Sequence, residues 1–360
     1  MSTLRTNAVL DASGGNTATF NSIPLRPGVL DPENRIINGA FDFWQRGTSF
    51  TASAYGADRW INGVSGGTVT MSRQSFTVGD TLGTNNSTYF LRQTVSGQTL
   101  SSSLGLVQQR IEGVRSYAGQ TITVLGWARR SSGSGNMAVE MVQTFGTGGS
   151  PSSDVTGTGQ TVTLTTSFAP FALTFTVPSI TGKTLGTNGN DYINVNFWTS
   201  AGSDYNARTN SLGLQTIGVD LWGIHIKQGT HTTSAVDLYR QPELGPELAR
   251  CQRYYYQYTG NASTQTPIAP AFLASTVSAQ ALLQFPVPMR AMPTQSVSAA
   301  ADIEVTWSAG TSATSAVTLD LVSTLNASLR ITTTGLTTGQ GGYFRIAIGA
   351  AKYLAFSAEL

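Results

Sequence analysis

Tyr192-Ile193-Asn194-Val195-Asn196-Phe197-Trp198 sets Ile193, Val195 and Phe197 against Asn194 and Asn196. A period of two belongs to extended chain, because successive side chains of a strand point to opposite faces. The pattern predicts a sheet with one face on a core and the other in water. The same alternation recurs over residues 121–127, 138–145, 161–166, 171–177 and 219–227. Between these runs lie Gly/Ser-rich stretches such as 131–136 and 146–159, which are too polar to bury. Strands at this spacing, with no helices between them, predict a jelly-roll β-sandwich over residues 35–243.

Downstream the pattern resumes at 303–307, 315–322, 328–333 and 343–348, and again over 352–360. Residues 281–288 are apolar and run into Pro286 and Pro288, which predicts an edge strand or a strand exit. Residues 260–360 thus read as a second, smaller β-sandwich, and the final residues as a strand tied into a sheet. One helix interrupts the series. Pro246 suits a first helical position, Glu247 the first turn, and Leu248, Cys251 and Tyr255 fall at helical spacing, giving a connecting helix over 244–259. Cys251 on its apolar face reads as a small core residue. The fold class is all-β: a jelly-roll sandwich and a smaller sandwich joined by a short helix.

Composition supports folding and narrows function. The chain has 360 residues, of which 40% are hydrophobic and only 11% charged, against about 25% charged in ordinary globular proteins. A core is affordable at that length and composition, and disorder is not indicated. The formal net charge is +2. Lysine occurs only at 183, 227 and 352, so the positive charge is nearly all arginine, spread singly. No basic run of the nucleic-acid type is visible, and Arg129-Arg130 is an isolated pair. A single cysteine rules out an intrachain disulfide. No run of about 18 apolar residues is present, so membrane insertion is not expected. Met1 to Phe20 lacks the apolar segment of a secretion signal. Extracellular-type composition without a signal fits release of a particle by lysis. Residues 1–34, with Pro24, Pro27 and Pro32, read as an extended anchoring or linker segment, or as a free lead-in.

Catalytic patterns are sparse. His225 and His231 form no zinc motif. Gly63-Val64-Ser65-Gly66-Gly67 has the letters of a nucleophile elbow, but a strand-like run follows where a helix is required. Gly182-Lys183-Thr184 resembles the end of a phosphate loop whose leading glycine position holds Val177. No cofactor fingerprint and no calcium loop are found, so neither cofactor nor metal is expected. Two carboxylates at glycosidase spacing remain conceivable, which keeps a polysaccharide depolymerase as an alternative to a chain that is not an enzyme.

The informative motif is Arg35-Ile36-Ile37-Asn38-Gly39-Ala40-Phe41-Asp42-Phe43-Trp44-Gln45-Arg46-Gly47, followed by Tyr55-Gly56-Ala57-Asp58-Arg59-Trp60. Asn38-Gly39 is a strong turn pair. Asp42, Asp58, Arg46 and Arg59 suit charge-assisted hydrogen bonds that fix the turns. The aromatics read either as core or as sugar platforms, with Trp44, Tyr55, Trp198 and Trp222 the glycan-binding candidates.

The motif at 38–47 with Ala57-Asp58-Arg59-Trp60 resembles the opening of a domain found in phage tail fibre and other virion proteins, a carbohydrate-binding-module-like jelly roll. The resemblance continues at Val219-Asp220-Leu221-Trp222-Gly223-Ile224-His225-Ile226-Lys227-Gln228-Gly229, at Gly245-Pro246-Glu247-Leu248-Ala249-Arg250-Cys251-Gln252-Arg253-Tyr254-Tyr255, at 285–294 and at Phe356-Ser357-Ala358-Glu359-Leu360. It implies a homotrimeric virion protein that contacts host surface polysaccharide or other virion proteins, the latter through residues 1–34. The function it implies is tail-fibre or receptor-binding attachment, with a head fibre or capsid decoration role as the alternative.

Overall fold

The computed structural model describes residues 34–83 and 85–360, together with the short strands Thr19–Phe20 and Ile23–Pro24. The anchoring segment expected over 1–34 otherwise lies outside the described residues.

Two antiparallel sheets form the first sandwich. One runs Val155–Thr156, Asn136–Thr144, Tyr192–Ala201, Leu104–Glu112, Trp60–Ser65, Ala54–Tyr55, with Gln160–Thr163 also paired to Asn136–Thr144. The other runs Ala169–Thr176, Thr121–Gly133, Ile217–Gln228, Tyr89–Ser96, Thr68–Ser75, Ser49–Phe50. The chain repeatedly crosses from one sheet to the other, as from Thr121–Gly133 to Asn136–Thr144. This is a jelly-roll sandwich. Ile193, Val195 and Phe197 are fully buried between the sheets, against Val124, Ile224 and Phe171. The polar stretch 131–136 is mostly strand, because the long strand continues to Gly133 and the next strand, in the other sheet, begins at Asn136.

The expected wet faces are partly covered. Asn196 is 2% exposed and its neighbour Trp198 1%, because the turn containing Tyr205 and Arg208 folds over the outside of the sheet. On the opposite sheet Trp127, Trp222 and Tyr239 form a second small core with Val236, which belongs to the Thr233–Leu238 helical turn. The strand Ile217–Gln228 is therefore buried on both faces, and strict alternation along it fails at one point. Gly223 has φ 64° and a register shift lies opposite it, between Leu125 and Trp127. The bulge inserts an extra residue. Val219 and Leu221 point to the main core before it, and Ile224 and Ile226 after it. Only glycine fits here: a Cβ would sit 2.7 Å from the Trp127 ring.

The second sandwich packs a seven-stranded sheet on a three-stranded one. The larger runs Gly310–Ala313, Ile303–Trp307, Gly341–Ile346, Thr266–Ser275, Ser278–Gln284, Asn326–Thr332, Ala316–Val322. The smaller runs Tyr255–Thr259, Tyr353–Ser357, Thr294–Val297. Leu273, Leu283, Leu329, Phe344 and Phe356 fill the space between them. Ser278–Gln284 is an interior strand, not an edge, and Pro286 and Pro288 come after its end, where no ladder hydrogen bond is lost. The C-terminal strand is the middle of its sheet, and Ala358 N donates to Tyr254 O at 2.8 Å.

The helix is Leu244–Gln252, shorter than the 244–259 expected, and Pro246 is its third residue, not its first. Residues 255–259 are strand, paired with Tyr353–Ser357. A run of three tyrosines favours a half-buried pleated surface over a helix. Cys251 is fully buried beside Ile37 and Tyr254.

Candidate functional site

The 38–60 motif is a hydrogen-bonded knot. Asn38 takes a left-handed φ of 56°, which asparagine tolerates better than most residues. Its Nδ2 donates to Phe43 O at 2.9 Å and Asp58 O at 3.1 Å, and its Oδ1 accepts from Phe43 N at 3.1 Å. Trp60 Nε1 donates to Asn38 O at 3.0 Å. A Cβ on Gly39 would stand 2.0 Å from Ile224 O, so glycine lets this turn rest on the strand just past the bulge. Asp58, fully buried, accepts from Gln45 Nε2 at 2.8 Å and lies 3.5 Å from Arg46 Nη1. Burial raises its carboxyl pKa, and Arg46 and Gln45 offset part of that rise. Asp42 accepts from Gln241 Nε2 at 2.8 Å, and its pKa is pushed up to about 6 by burial, with the Gln241 bond opposing.

The two arginines reach further than the turns. Arg46 Nη2 donates to Glu359 Oε1 at 2.9 Å and Arg59 Nη1 donates to Glu359 Oε2. Arg59 lies flat on the Tyr254 ring at 3.6 Å, and Arg46 on Tyr255 at 3.5 Å. The motif therefore clamps the jelly roll to the second sandwich.

The four aromatic candidates do not come together as a sugar platform. Trp44 is 8% exposed, donates Nε1 to Phe41 O at 2.7 Å and stacks on Phe50. Trp222 is fully buried against Trp127 and Tyr239. Trp198 is covered by Tyr205 and by the Arg208 guanidinium, each 5.1 Å from its ring. For these three the platform expectation is corrected: neighbouring side chains already occupy the ring surroundings that a pyranose would need. Tyr55 is half-buried, donates its hydroxyl to Leu360 O at 3.0 Å and has Arg46 5.2 Å from its ring.

Carboxylates on the outer sheet faces are saturated with donors. Glu140, fully buried, accepts from Arg208 at 2.7 and 2.9 Å, and from Asn196 Nδ2 and Trp198 Nε1 at 3.0 Å each. Asp220, also fully buried, accepts from Arg92 at 2.6 and 2.8 Å and from Arg129 Nε at 2.7 Å. His225 donates Nδ1–H to Gly223 O at 2.8 Å, and burial lowers its pKa to about 4. Among the described residues, no group of three or more His, Cys, Asp or Glu is placed to hold a metal, and no helix is long and apolar enough to cross a membrane.

A cavity of about 410 Å³ opens where the jelly roll meets the helix and the residues that leave it. Arg35, Arg59, Arg110, Arg250 and Arg253 line it, with Glu112. Arg253 Nη2 and Tyr254 Oη both donate to Glu112, at 3.1 and 2.6 Å. Arg250 is held by Glu247 at 2.8 Å and by Ile36 O at 3.1 Å. Arg110 Nη1 donates to Leu360 O, and Arg59 Nη2 to Arg110 O at 2.5 Å. The Nε–H groups of Arg59 and Arg110 are buried and have no acceptor among the described residues. No local signal announces this cluster, since its arginines stand singly in the sequence and meet only through the fold.

No family model matches the chain, and no curated protein matches it. Solved structures similar to it include a bacteriophage CBA120 tailspike protein 4 enzymatically active domain, 14% identical, covering 56% of this chain and 22% of that one, TM-score 0.32. The chain thus spans about a fifth of that tailspike domain. A putative sugar binding protein from Bacteroides thetaiotaomicron is 12% identical over 54% of this chain and 100% of that one, TM-score 0.35. The CBM22-2 xylan-binding domain of Paenibacillus barcinonensis Xyn10C is 12% identical over 51% and 98%, TM-score 0.29. Likeness at this level says nothing of ligand or activity.

Proposed function

We propose that this chain is a non-catalytic attachment protein of the phage tail-fibre or receptor-binding kind, which works by surface contact and engages host polysaccharide. The observation that carries the reading is the junction cavity. It is concave, within the roughly 300–1,000 Å³ range of small-ligand sites, and lined by the jelly roll and the helix. Its volume of about 410 Å³ suits a single sugar residue of a polymer. The carboxylates at 140 and 220 are each engaged by arginine. Display of several copies on one particle would convert weak contacts into firm adsorption. The test is adsorption: purified protein should bind host polysaccharide, compete with phage for cells and release no reducing ends. Absence of binding and of competition would overturn the reading, and release of reducing ends would make the protein a depolymerase.

A second reading, a head fibre or decoration element with a structural role alone, is favoured by the outer face of the seven-stranded sheet. Leu321 is 74% exposed there, Leu282 60%, Phe272 55% and Tyr343 40%. Deletion of the protein would then leave adsorption intact.

A further inference from the structure

The junction cavity has a charge character that a neutral sugar does not require. Five guanidinium groups line it and one carboxylate, that of Glu112. Glu247 and Glu359 also touch these arginines from outside the lining, so the side chains keep a positive surplus. Two of the arginines hold buried Nε–H donors with no acceptor among the described residues. A buried charged donor left without a partner is costly, and an incoming acceptor removes that cost. Arg35 is exposed at the rim, and among the described residues its guanidinium makes no hydrogen bond or ion pair. Ile37, Ile111 and Tyr254 supply less polar lining beside the arginines, suited to the carbon skeleton of a ring.

We propose that this cavity is an oxyanion site that takes the carboxylate or sulfate of an acidic sugar, with the arginines of its lining supplying the donors and Arg35 closing the rim. The assignment rests on the attachment reading for its sugar, and on the cavity alone for its anion. Guanidinium groups are matched to flat oxyanions by shape as well as charge, and several converging on one cavity select an acid over the isosteric neutral sugar.

The experiment is calorimetric titration of the full chain with glucuronate, glucose 6-sulfate, glucose and inorganic phosphate. Glucuronate or the sulfated sugar should bind and glucose should not, with affinity falling as salt rises. The two acidic arms tell which oxyanion is preferred. Arg35→Gln, which breaks no contact seen in the fold, should weaken binding several-fold at unchanged melting temperature. Arg110→Gln should weaken it by about tenfold or more. Equal binding of glucose, no binding of either acidic sugar, or unchanged affinity in both variants would overturn the site. Phosphate binding as tightly as glucuronate would overturn the sugar assignment. Loss of acidic-sugar binding with host adsorption retained refutes this inference and leaves the attachment reading standing; acidic-sugar binding without adsorption does the reverse.

Discussion

The two sandwiches handle charge in opposite ways. In the jelly roll, ion pairs are built around carboxylates with no exposure: Glu140 with Arg208, and Asp220 with Arg92 and Arg129. In the second sandwich both members of each pair see solvent: Arg330 with Asp320 at 47% and 30%, Arg345 with Glu304, Lys352 with Asp302. At the junction Arg59 and Glu359 are almost wholly enclosed. A buried charge stripped of its partner is strongly destabilising, whereas an exposed pair contributes little. Charge therefore fixes the architecture of the first sandwich and its joint to the second, and only decorates the surface of the second.

Glu359→Ala should cause the largest loss, about 3–5 kcal/mol, because Arg59 stays buried with its carboxylate gone. Chemical denaturation should show it, with separation of the two sandwiches as a distinct early step. A loss below about 1 kcal/mol would place the clamp among surface pairs.

Next come the titrating groups buried in the jelly roll. His225, lowered to about 4, contributes stability in full above its ordinary value of 6.5 and loses it as pH falls towards 4. Asp42, raised to about 6, does the reverse: its contribution is full below 3.8 and fades as pH rises through 6. Each amounts to about 3 kcal/mol at 1.36 kcal/mol per pKa step, so in the intact protein they largely cancel between pH 4 and 6. Asp42→Asn should leave a fold that weakens on acidification, and His225→Gln one that strengthens. Denaturation curves at pH 4, 5 and 6.5 test both signs, and parallel behaviour of the two variants would refute the assignment.

Arg208→Ala follows, at about 2 kcal/mol, since Glu140 keeps Asn196 and Trp198 as donors and water can reach the vacated side. Near-ultraviolet circular dichroism should register the altered Trp198. Arg330→Ala should be smallest, within about 0.5 kcal/mol. A larger effect would erase the contrast between the sandwiches.

Much of the fold was legible because strand periodicity is local. The 193–197 alternation named the core-facing residues directly, and Phe356 near the end was already part of a strand pattern. What was not legible depends on residues far apart in the chain. Nothing near Asn196 says that Tyr205 and Arg208 will fold back over that face, so a predicted wet surface became a buried network. Gly223 was visible as a residue, but a bulge shows only against its partner strand. The helix reads too long in the sequence because Tyr255 also fits helical spacing, and pairing with Ser357 decides the matter. The candidate tryptophans were legible as large planes and not as buried ones. The arginine cavity was invisible for the same reason, since five separated positions share no local pattern.

The bond between Arg59 and Glu359 joins residues 300 positions apart. At a synthesis rate of about 5–20 residues per second, the arginine emerges from the ribosome roughly 15–60 s before its partner. Throughout that interval the nascent jelly roll can settle most of its core but holds an unmatched cation at the place where it should close. The clamp thus forms only after the chain has been made through residue 359.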